Sequence, residues 1–174
     1  QPLLISSHLG TYAIVTVGVV KNAEALAVLR TVQKDKPGWA DIQIAIGDRL
    51  RADKKFTEAA SAYDNALKLM PTNKKENWAL YYTRGIALSS AKQWDAAEKD
   101  FKKALELNPD EPQVLNYLGY SYLDRGSNLK EARRLIEAAH TKRPDDGYII
   151  DSYGWMLYTL GETDKAVPAL EKAV

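Results

Sequence analysis

Few side chains in this sequence could do acid–base or metal chemistry together at one site. The two histidines, His8 and His140, lie far apart in the chain, and there is no cysteine. The acidic group Asp145, Asp146 and Asp151 suggests a cation site, but its spacing does not match a calcium-binding loop, and acids near a helix start are the simpler interpretation. No nucleotide-binding, serine-hydrolase or zinc-protease motif is present. We therefore expect no enzymatic activity, no cofactor and no metal ion.

Composition and charge exclude further classes of function. The 174 residues include 24 basic and 23 acidic side chains, so a net charge of +1 gives no general field that attracts nucleic acid or an anionic membrane. The longest apolar run, Ala13–Val20, is far shorter than the roughly 20 residues of a membrane-spanning helix. We expect no nucleic-acid binding and no direct membrane insertion. Because cysteine is absent, composition allows the periplasm and the cytosol equally.

A repeat in the sequence predicts the elements that position the side chains. The stretch "FKKALELNPD" contains Phe101, Ala104 and Pro109, and it follows Gly85 and Ala97 at fixed offsets. Nearly the same offsets recur in three further units: Gly47, Ala59, Tyr63, Ala66 and Pro71; Gly119, Ala132, Ile136, Ala139 and Pro144; and Gly154, Ala166, Leu170 and Ala173. Self-similarity at a fixed period indicates a repeat architecture.

The spacing within one unit describes two helices that cross closely. Small side chains at Gly85 and Ala97 let two antiparallel helices approach each other. Phe101 and Ala104 follow the helical spacing of a buried stripe. Pro109 cannot continue the helix and turns the chain toward the next unit. Each unit is therefore predicted to be a helix–turn–helix.

These offsets resemble the tetratricopeptide repeat, a unit of about 34 residues with the pattern W-x2-L-G-x2-Y, A-x3-F, P. The stretch "LNYLGYSY" places Leu118, Gly119 and Tyr122 in the L-G-x2-Y slots, whereas Leu115 stands where tryptophan is expected. The resemblance implies an all-α fold, a right-handed α-solenoid of antiparallel helix pairs. The implied organisation is a single array over residues 1–174, with a degenerate repeat at 6–39, repeats at 40–73, 78–111 and 112–146, and an incomplete repeat at 147–174.

The first segment allows two interpretations. The period extends back to Pro37, which makes Ser6–Trp39 a degenerate repeat whose first helix includes Thr11–Val20. The run "TYAIVTVGVV" is rich in β-branched residues, so propensity alone favours a strand. We prefer the helix, because an isolated strand would have no sheet to pair with and packing can override propensity.

The resemblance also implies a binding surface. In the family, the first helix of each repeat lines a concave groove, and set positions of that helix face the ligand. The candidate partner-binding residues at these positions are Asp48, Arg51, Tyr82, Asn116, Tyr120, Tyr148, Asp151, Trp155 and Tyr158. Trp155 and Tyr158 lie one turn apart and are the strongest candidates, because such rings dominate binding hot spots. For Tyr120 and Tyr148, simple packing between neighbouring helices is an equally good interpretation.

The expected function is a non-enzymatic scaffold that binds a protein, a peptide or a partner helix in the groove. The lysine, asparagine and arginine clamp of repeats that bind acidic tails is missing, so a basic or apolar partner segment is expected. The C-terminal half resembles the last repeats of bacterial envelope proteins that act as assembly or protease adaptors, which favours the periplasm or envelope over the cytoplasm. The alternative is a regulatory or substrate-docking segment of a larger enzyme.

The last helix predicts one further contact. Val167, Leu170 and Val174 lie at apolar positions that no later helix in this sequence covers. Repeat arrays normally cover such a face with a polar capping helix. We therefore expect either further sequence in the natural protein or self-association through this helix.

Overall fold

Helices make up most of the chain in the computed structural model, which describes residues 3–7, 10–14, 22–71 and 74–172. Over these residues a 3₁₀ turn, Lys75–Asn77, precedes the fourth helix. The helices are α1 (Asn22–Asp35), α2 (Ala40–Ala52), α3 (Phe56–Leu69), α4 (Trp78–Ser90), α5 (Trp94–Leu107), α6 (Pro112–Asp124), α7 (Leu129–Lys142), α8 (Gly147–Thr159) and α9 (Thr163–Lys172). Helix α2 packs on α3, α6 on α7 and α8 on α9, so these units are the helix pairs that the repeat predicts.

The N-terminal segment contains two strands where a helix was predicted. Strands β1 (Leu3–Ser7) and β2 (Gly10–Ile14) pair antiparallel with Leu3 opposite Ile14, and β1 contacts α2. The predicted helix over Thr11–Val20 is therefore wrong where β2 is described, and the remainder of that run lies outside the described residues. A single strand would lack a hydrogen-bonding partner, but β1 pairs with β2, so the β propensity of the branched residues prevails.

The contacts divide the chain into two compact units, residues 1–97 and 98–174. The first unit contains the two strands, α1 to α4 and the start of α5, and the second contains the rest of α5 and α6 to α9. The bulkiest fully buried side chains of the first unit are Leu29, Ile42 and Tyr63. Those of the second unit are Phe101, Val114, Tyr122, Leu135, Ile136, Ile149, Met156 and Leu157. The predicted stripe positions Tyr63, Phe101 and Ile136 thus form part of the two cores.

Glycine occupies the point of closest approach in three helix pairs. A Cβ atom added at Gly47 of α2 would lie 2.5 Å from Cε1 of Tyr63 in α3. In the second unit, a Cβ atom would lie 2.7 Å from Cγ1 of Ile136 at Gly119 and 2.6 Å from Cγ of Leu170 at Gly154. Two non-bonded carbon atoms do not lie so close together in proteins. Alanine at these positions would therefore force the contacted side chain or the two helices to move, which glycine avoids. The predicted role of these three glycines is confirmed.

Each helix pair turns through a residue with left-handed backbone geometry. This residue follows the crossing glycine of its unit by seven positions, and its φ angle is 58° at Lys54, 61° at Lys92, 61° at Gly126 and 82° at Gly161. Glycine adopts this region freely, whereas a Cβ atom makes it unfavourable. Lys54 and Lys92 therefore carry strain that Gly126 and Gly161 avoid at the equivalent position, although Asn128 of the α6–α7 turn also has a positive φ angle, of 49°.

Candidate partner-binding face

Exposed aromatic side chains gather on α6 and α8, which pack against each other in the second unit. We define the α6–α8 face by Tyr120 of α6 and by Tyr148, Asp151, Trp155 and Tyr158 of α8. The exposed fraction is 40% for Tyr120, 44% for Trp155, 55% for Tyr158 and 88% for Tyr148. Five of the candidates predicted from the sequence therefore lie on this face, and each of its four aromatic residues is at least 40% exposed.

Trp155 and Tyr158 form one joint surface on α8. Their ring centroids lie 5.6 Å apart with an angle of 30° between the planes, a stacked arrangement. The α-helix places residues at this spacing on the same side, with Asp151 one turn before Trp155. Because each ring restricts the other, the pair offers a large apolar area that needs little ordering when a partner binds.

The hydroxyl of Tyr120 lies in an acidic environment. Partial burial, followed by the charges of Asp124 and Asp151, raises the pKa of the Tyr120 phenol above its ordinary value. Within the described residues, neither Asp124 nor Asp151 forms an ion pair with a cationic side chain. The exposed rings of the α6–α8 face therefore lie beside two carboxylates, Asp151 within the face and Asp124 next to Tyr120, that form no ion pair among the described residues.

Asn116 lies between α6 and α8 rather than on the surface. Its exposed fraction is 7%, and its Nδ2 donates a hydrogen bond to Oγ of Ser152 at 3.1 Å. The Ser152 hydroxyl in turn donates to the backbone oxygen of Tyr148 at 3.0 Å. The Oδ1 atom of Asn116 is buried and has no hydrogen-bond partner among the residues that the structure describes. Asn116 thus joins the two helices beneath the face, and its predicted contact with a partner stays a prediction.

The candidates of the first unit make contacts within that unit. The Tyr63 hydroxyl donates to Oδ1 of Asp48 at 2.7 Å and accepts from Nε of Arg51 at 3.3 Å. Burial, and then the bond to Asp48, raises the pKa of Tyr63. Asp48 and Arg51 are exposed, whereas Tyr82 is half-buried with its ring centroid 6.4 Å from that of Trp78. These three residues therefore have local partners, and their role in binding stays a prediction.

Two acidic residues at the start of α8, Asp145 and Asp146, make different contacts. The Asp146 side chain accepts from the backbone N–H groups of Tyr148 and Ile149 and caps the helix. Asp145 lies 3.4 Å from Nζ of Lys172. In the part of the chain that the structure describes, no group of three or more histidine or acidic side chains is arranged to hold a metal ion. The interpretation of these residues as helix N-terminal acids is confirmed for Asp146.

The two histidines have different outcomes. His140, in the last turn of α7, stacks on Tyr153 of α8, with ring centroids 4.3 Å apart and an angle of 5° between the planes. His8 lies outside the described residues. No described helix is long and apolar enough to cross a membrane.

Sequence comparison identifies the repeat. Models of the tetratricopeptide repeat match residues 78–111 and residues 101–134. The chain contains tetratricopeptide repeats. Proteins built from such repeats commonly mediate protein–protein interactions and bind protein or peptide partners.

Two curated relatives carry the same repeat. A TPR repeat-containing protein of Pseudomonas aeruginosa is 32% identical over 152 residues, which are 87% of this chain and 25% of the relative. The human tetratricopeptide repeat protein 13 is 29% identical over 138 residues, which are 77% of this chain and 15% of the relative. The chain therefore spans a quarter or less of the length of these two relatives.

Solved structures of tetratricopeptide-repeat proteins share the fold. MamA from Desulfovibrio magneticus RS-1 is 20% identical, with a TM-score of 0.76 over 87% of this chain and 83% of that one. YrrB, a TPR protein with an unusual peptide-binding site, is 22% identical, with a TM-score of 0.68 over 87% of this chain and 76% of that one. The likeness confirms the predicted α-solenoid fold of helix pairs.

Two exposed residues of α6 were not among the candidates from the sequence. Tyr117 is 41% exposed, and its ring centroid lies 6.2 Å from that of buried Phe101. Asp124 comes one helical turn after Tyr120, so the spacing of the tetratricopeptide repeat could have indicated it. Asp124 does not occupy one of the family's set groove positions, so the resemblance did not indicate it.

On α9, Val167 is half exposed, and self-association through this helix stays a prediction.

Proposed function

We propose that this tetratricopeptide-repeat chain is a non-enzymatic scaffold that binds a peptide or a partner helix on the α6–α8 face. The observation that carries the proposal is the exposed, stacked pair Trp155 and Tyr158. Large exposed rings on a rigid helix are the feature that most often supplies binding energy at a protein interface.

The surroundings of this pair support the same proposal. Beneath the face, α8 is held by the buried residues Ile149, Met156 and Leu157 and by the hydrogen bond between Asn116 and Ser152. A partner would therefore meet rings that are already in position. Rigid positioning reduces the entropy lost on binding.

A peptide-display selection on the purified chain tests the proposal. A library of random peptides would be selected on the wild-type protein, and the enriched peptides measured against the double variant W155A/Y158A. We expect affinity to fall by about tenfold or more, since loss of two hot-spot rings removes over 1 kcal/mol. The matched control is Leu129→Ala, which removes an exposed apolar side chain on α7.

The outcome that contradicts the proposal is specific. If no peptide is enriched, or if W155A/Y158A binds the enriched peptides as tightly as the Leu129→Ala control, this face is not the binding surface. Far-UV circular dichroism and the Tm of both variants must match the wild type, so that a loss of binding is not a loss of fold.

The wider role is also part of the proposal. We place the scaffold in the bacterial periplasm or envelope as an assembly or protease adaptor, supported by the resemblance of the C-terminal repeats to those of envelope proteins. Cell fractionation of the full-length protein tests this location. A second candidate role is a regulatory or substrate-docking segment of a larger enzyme, which is favoured by the small share of its relatives that this chain spans.

A further inference from the structure

The unused polar groups of the α6–α8 face are hydrogen-bond acceptors. Asp124 and Asp151 flank Tyr120 without a cationic partner among the described residues. The Oδ1 of Asn116 is also an acceptor without a hydrogen bond among the described residues, but it is buried between α6 and α8, out of reach of a ligand on the surface. The two exposed carboxylates are complementary to a ligand that brings N–H donors.

Asp124 and Asp151 differ from most other acidic residues of the second unit, which form an ion pair with a basic side chain. Glu98 is bound by Lys102 and Arg125, and Asp110 lies 3.0 Å from Lys142. Further acid–base pairs of this unit are Glu106 with Lys103, Glu131 with Arg134, Glu137 with Arg133, and Glu162 with Arg133 and Lys165. Asp124 and Asp151 therefore combine two properties: they form no ion pair among the described residues, and they lie beside the exposed rings, whereas Glu111, Asp164 and Glu171 share only the first property.

We propose that the α6–α8 face recognises a cationic partner segment, with an arginine side chain placed against the rings of Trp155 and Tyr120 and paired with Asp151 and Asp124. Both the aromatic rings and the carboxylates of this surface form favourable contacts with an arginine side chain. Aromatic faces attract a guanidinium group through cation–π contact, and carboxylates accept its forked N–H donors. The inference rests on the proposed function, because it specifies the partner of the same face.

Three synthetic peptides of equal length and apolar content test the inference. One carries three arginines, the second carries citrulline at these positions, and the third carries glutamate. Citrulline keeps the shape and most donors of arginine but has no charge. Binding of the fluorescently labelled peptides to the 174-residue chain would be measured by anisotropy at low and at moderate salt.

We expect the arginine peptide to bind at least about tenfold more tightly than the citrulline and glutamate peptides, with affinity falling as salt rises. Asp151→Asn and Asp124→Asn should each weaken arginine-peptide binding by about threefold to tenfold. The matched control is Asp164→Asn on α9, which removes the same charge from an exposed carboxylate away from the face. That variant should bind as the wild type does.

Two outcomes of the peptide comparison would overturn the inference. In the first, the glutamate or citrulline peptide binds as tightly as the arginine peptide. In the second, Asp164→Asn weakens binding as much as Asp151→Asn does, so that only net charge matters. If the display selection enriches uncharged or acidic peptides that need Trp155 and Tyr158, the proposed function stands and the arginine inference fails. If no peptide is enriched at all, both fail.

Discussion

Asn116 of α6 and Ser152 of α8 join neighbouring repeats through a hydrogen bond of 3.1 Å from Nδ2 to Oγ, in a buried position. The isosteric variant Asn116→Asp places a carboxyl group there. Its ionised form has no nearby cation, so we expect the free energy of unfolding at pH 7 to fall by about 2 kcal/mol. Urea unfolding followed by circular dichroism measures the change.

The pH dependence of Asn116→Asp distinguishes a buried charge from a steric effect. Burial would raise the pKa of the new carboxyl group in the folded state above its unfolded value. The loss of stability relative to the wild type should then be small at acidic pH and should grow as pH rises toward the folded pKa. A loss that is equal at pH 4 and pH 7 would contradict this explanation.

Gly119→Ala tests the close crossing of α6 and α7. The new Cβ atom would meet Cγ1 of Ile136 at 2.7 Å and the backbone oxygen of Ala132 at 3.1 Å. Overpacking should lower the free energy of unfolding by about 1–3 kcal/mol, although alanine favours a helix more than glycine does. The control is Gly38→Ala, because nothing lies within 4 Å of the Cβ position there. Equal Tm values for the two variants would contradict the close approach of α6 and α7 at Gly119.

Lys54→Gly should stabilise the first unit. The φ angle of Lys54 is 58°, a region in which a Cβ atom is unfavourable by roughly 1–2 kcal/mol, and part of this gain is offset by the greater freedom of glycine when unfolded. We expect a net increase of about 0.5–1 kcal/mol in the free energy of unfolding. Lys55→Gly, at a φ of −87°, is the control and should be neutral or destabilising. Thermal unfolding compares them.

Glu98→Gln should make the second unit less dependent on pH. Burial alone would raise the pKa of Glu98, but hydrogen bonds from Lys102, Tyr122 and Arg125 outweigh it and hold the pKa below its ordinary value. Because the folded pKa is lowered, this contribution is complete above the unfolded pKa and is lost as pH falls through the folded pKa.

At pH 7 we therefore expect Glu98→Gln to lose about 1 kcal/mol of stability, and the difference from the wild type to shrink below about pH 4. Glu106→Gln removes a carboxylate of the same helix that is paired with Lys103 but is 67% exposed. It should change stability by less than about 0.5 kcal/mol at either pH. A loss in Glu98→Gln that persists at pH 3 would contradict the pKa argument.

The sequence predicted the helix pairs well because their signals are local and repeated. Each crossing glycine precedes the residue that it contacts by 16 or 17 positions in the sequence, so the period revealed each crossing. The pairs are Gly47 with Tyr63, Gly119 with Ile136 and Gly154 with Leu170. Strand β2 was missed because its stability depends on pairing with β1, which no repeat offset reveals. The exposure of Trp155 followed from its repeat position, whereas the sequence left Tyr120 open between partner contact and helix packing, and the burial of Asn116 follows from a contact with the next repeat.

The parallel rings of His140 and Tyr153 provide a spectroscopic signal for the end of the chain. A tyrosine ring shields protons that lie over its face, so the imidazole proton resonances of His140 should appear upfield of their random-coil positions. The chain has two histidines, so His140→Gln assigns the signal directly. If α8 and α9 separate from α7 before the rest of the protein unfolds, these resonances will shift first. One pair of NMR lines can therefore follow fraying of the terminal repeat.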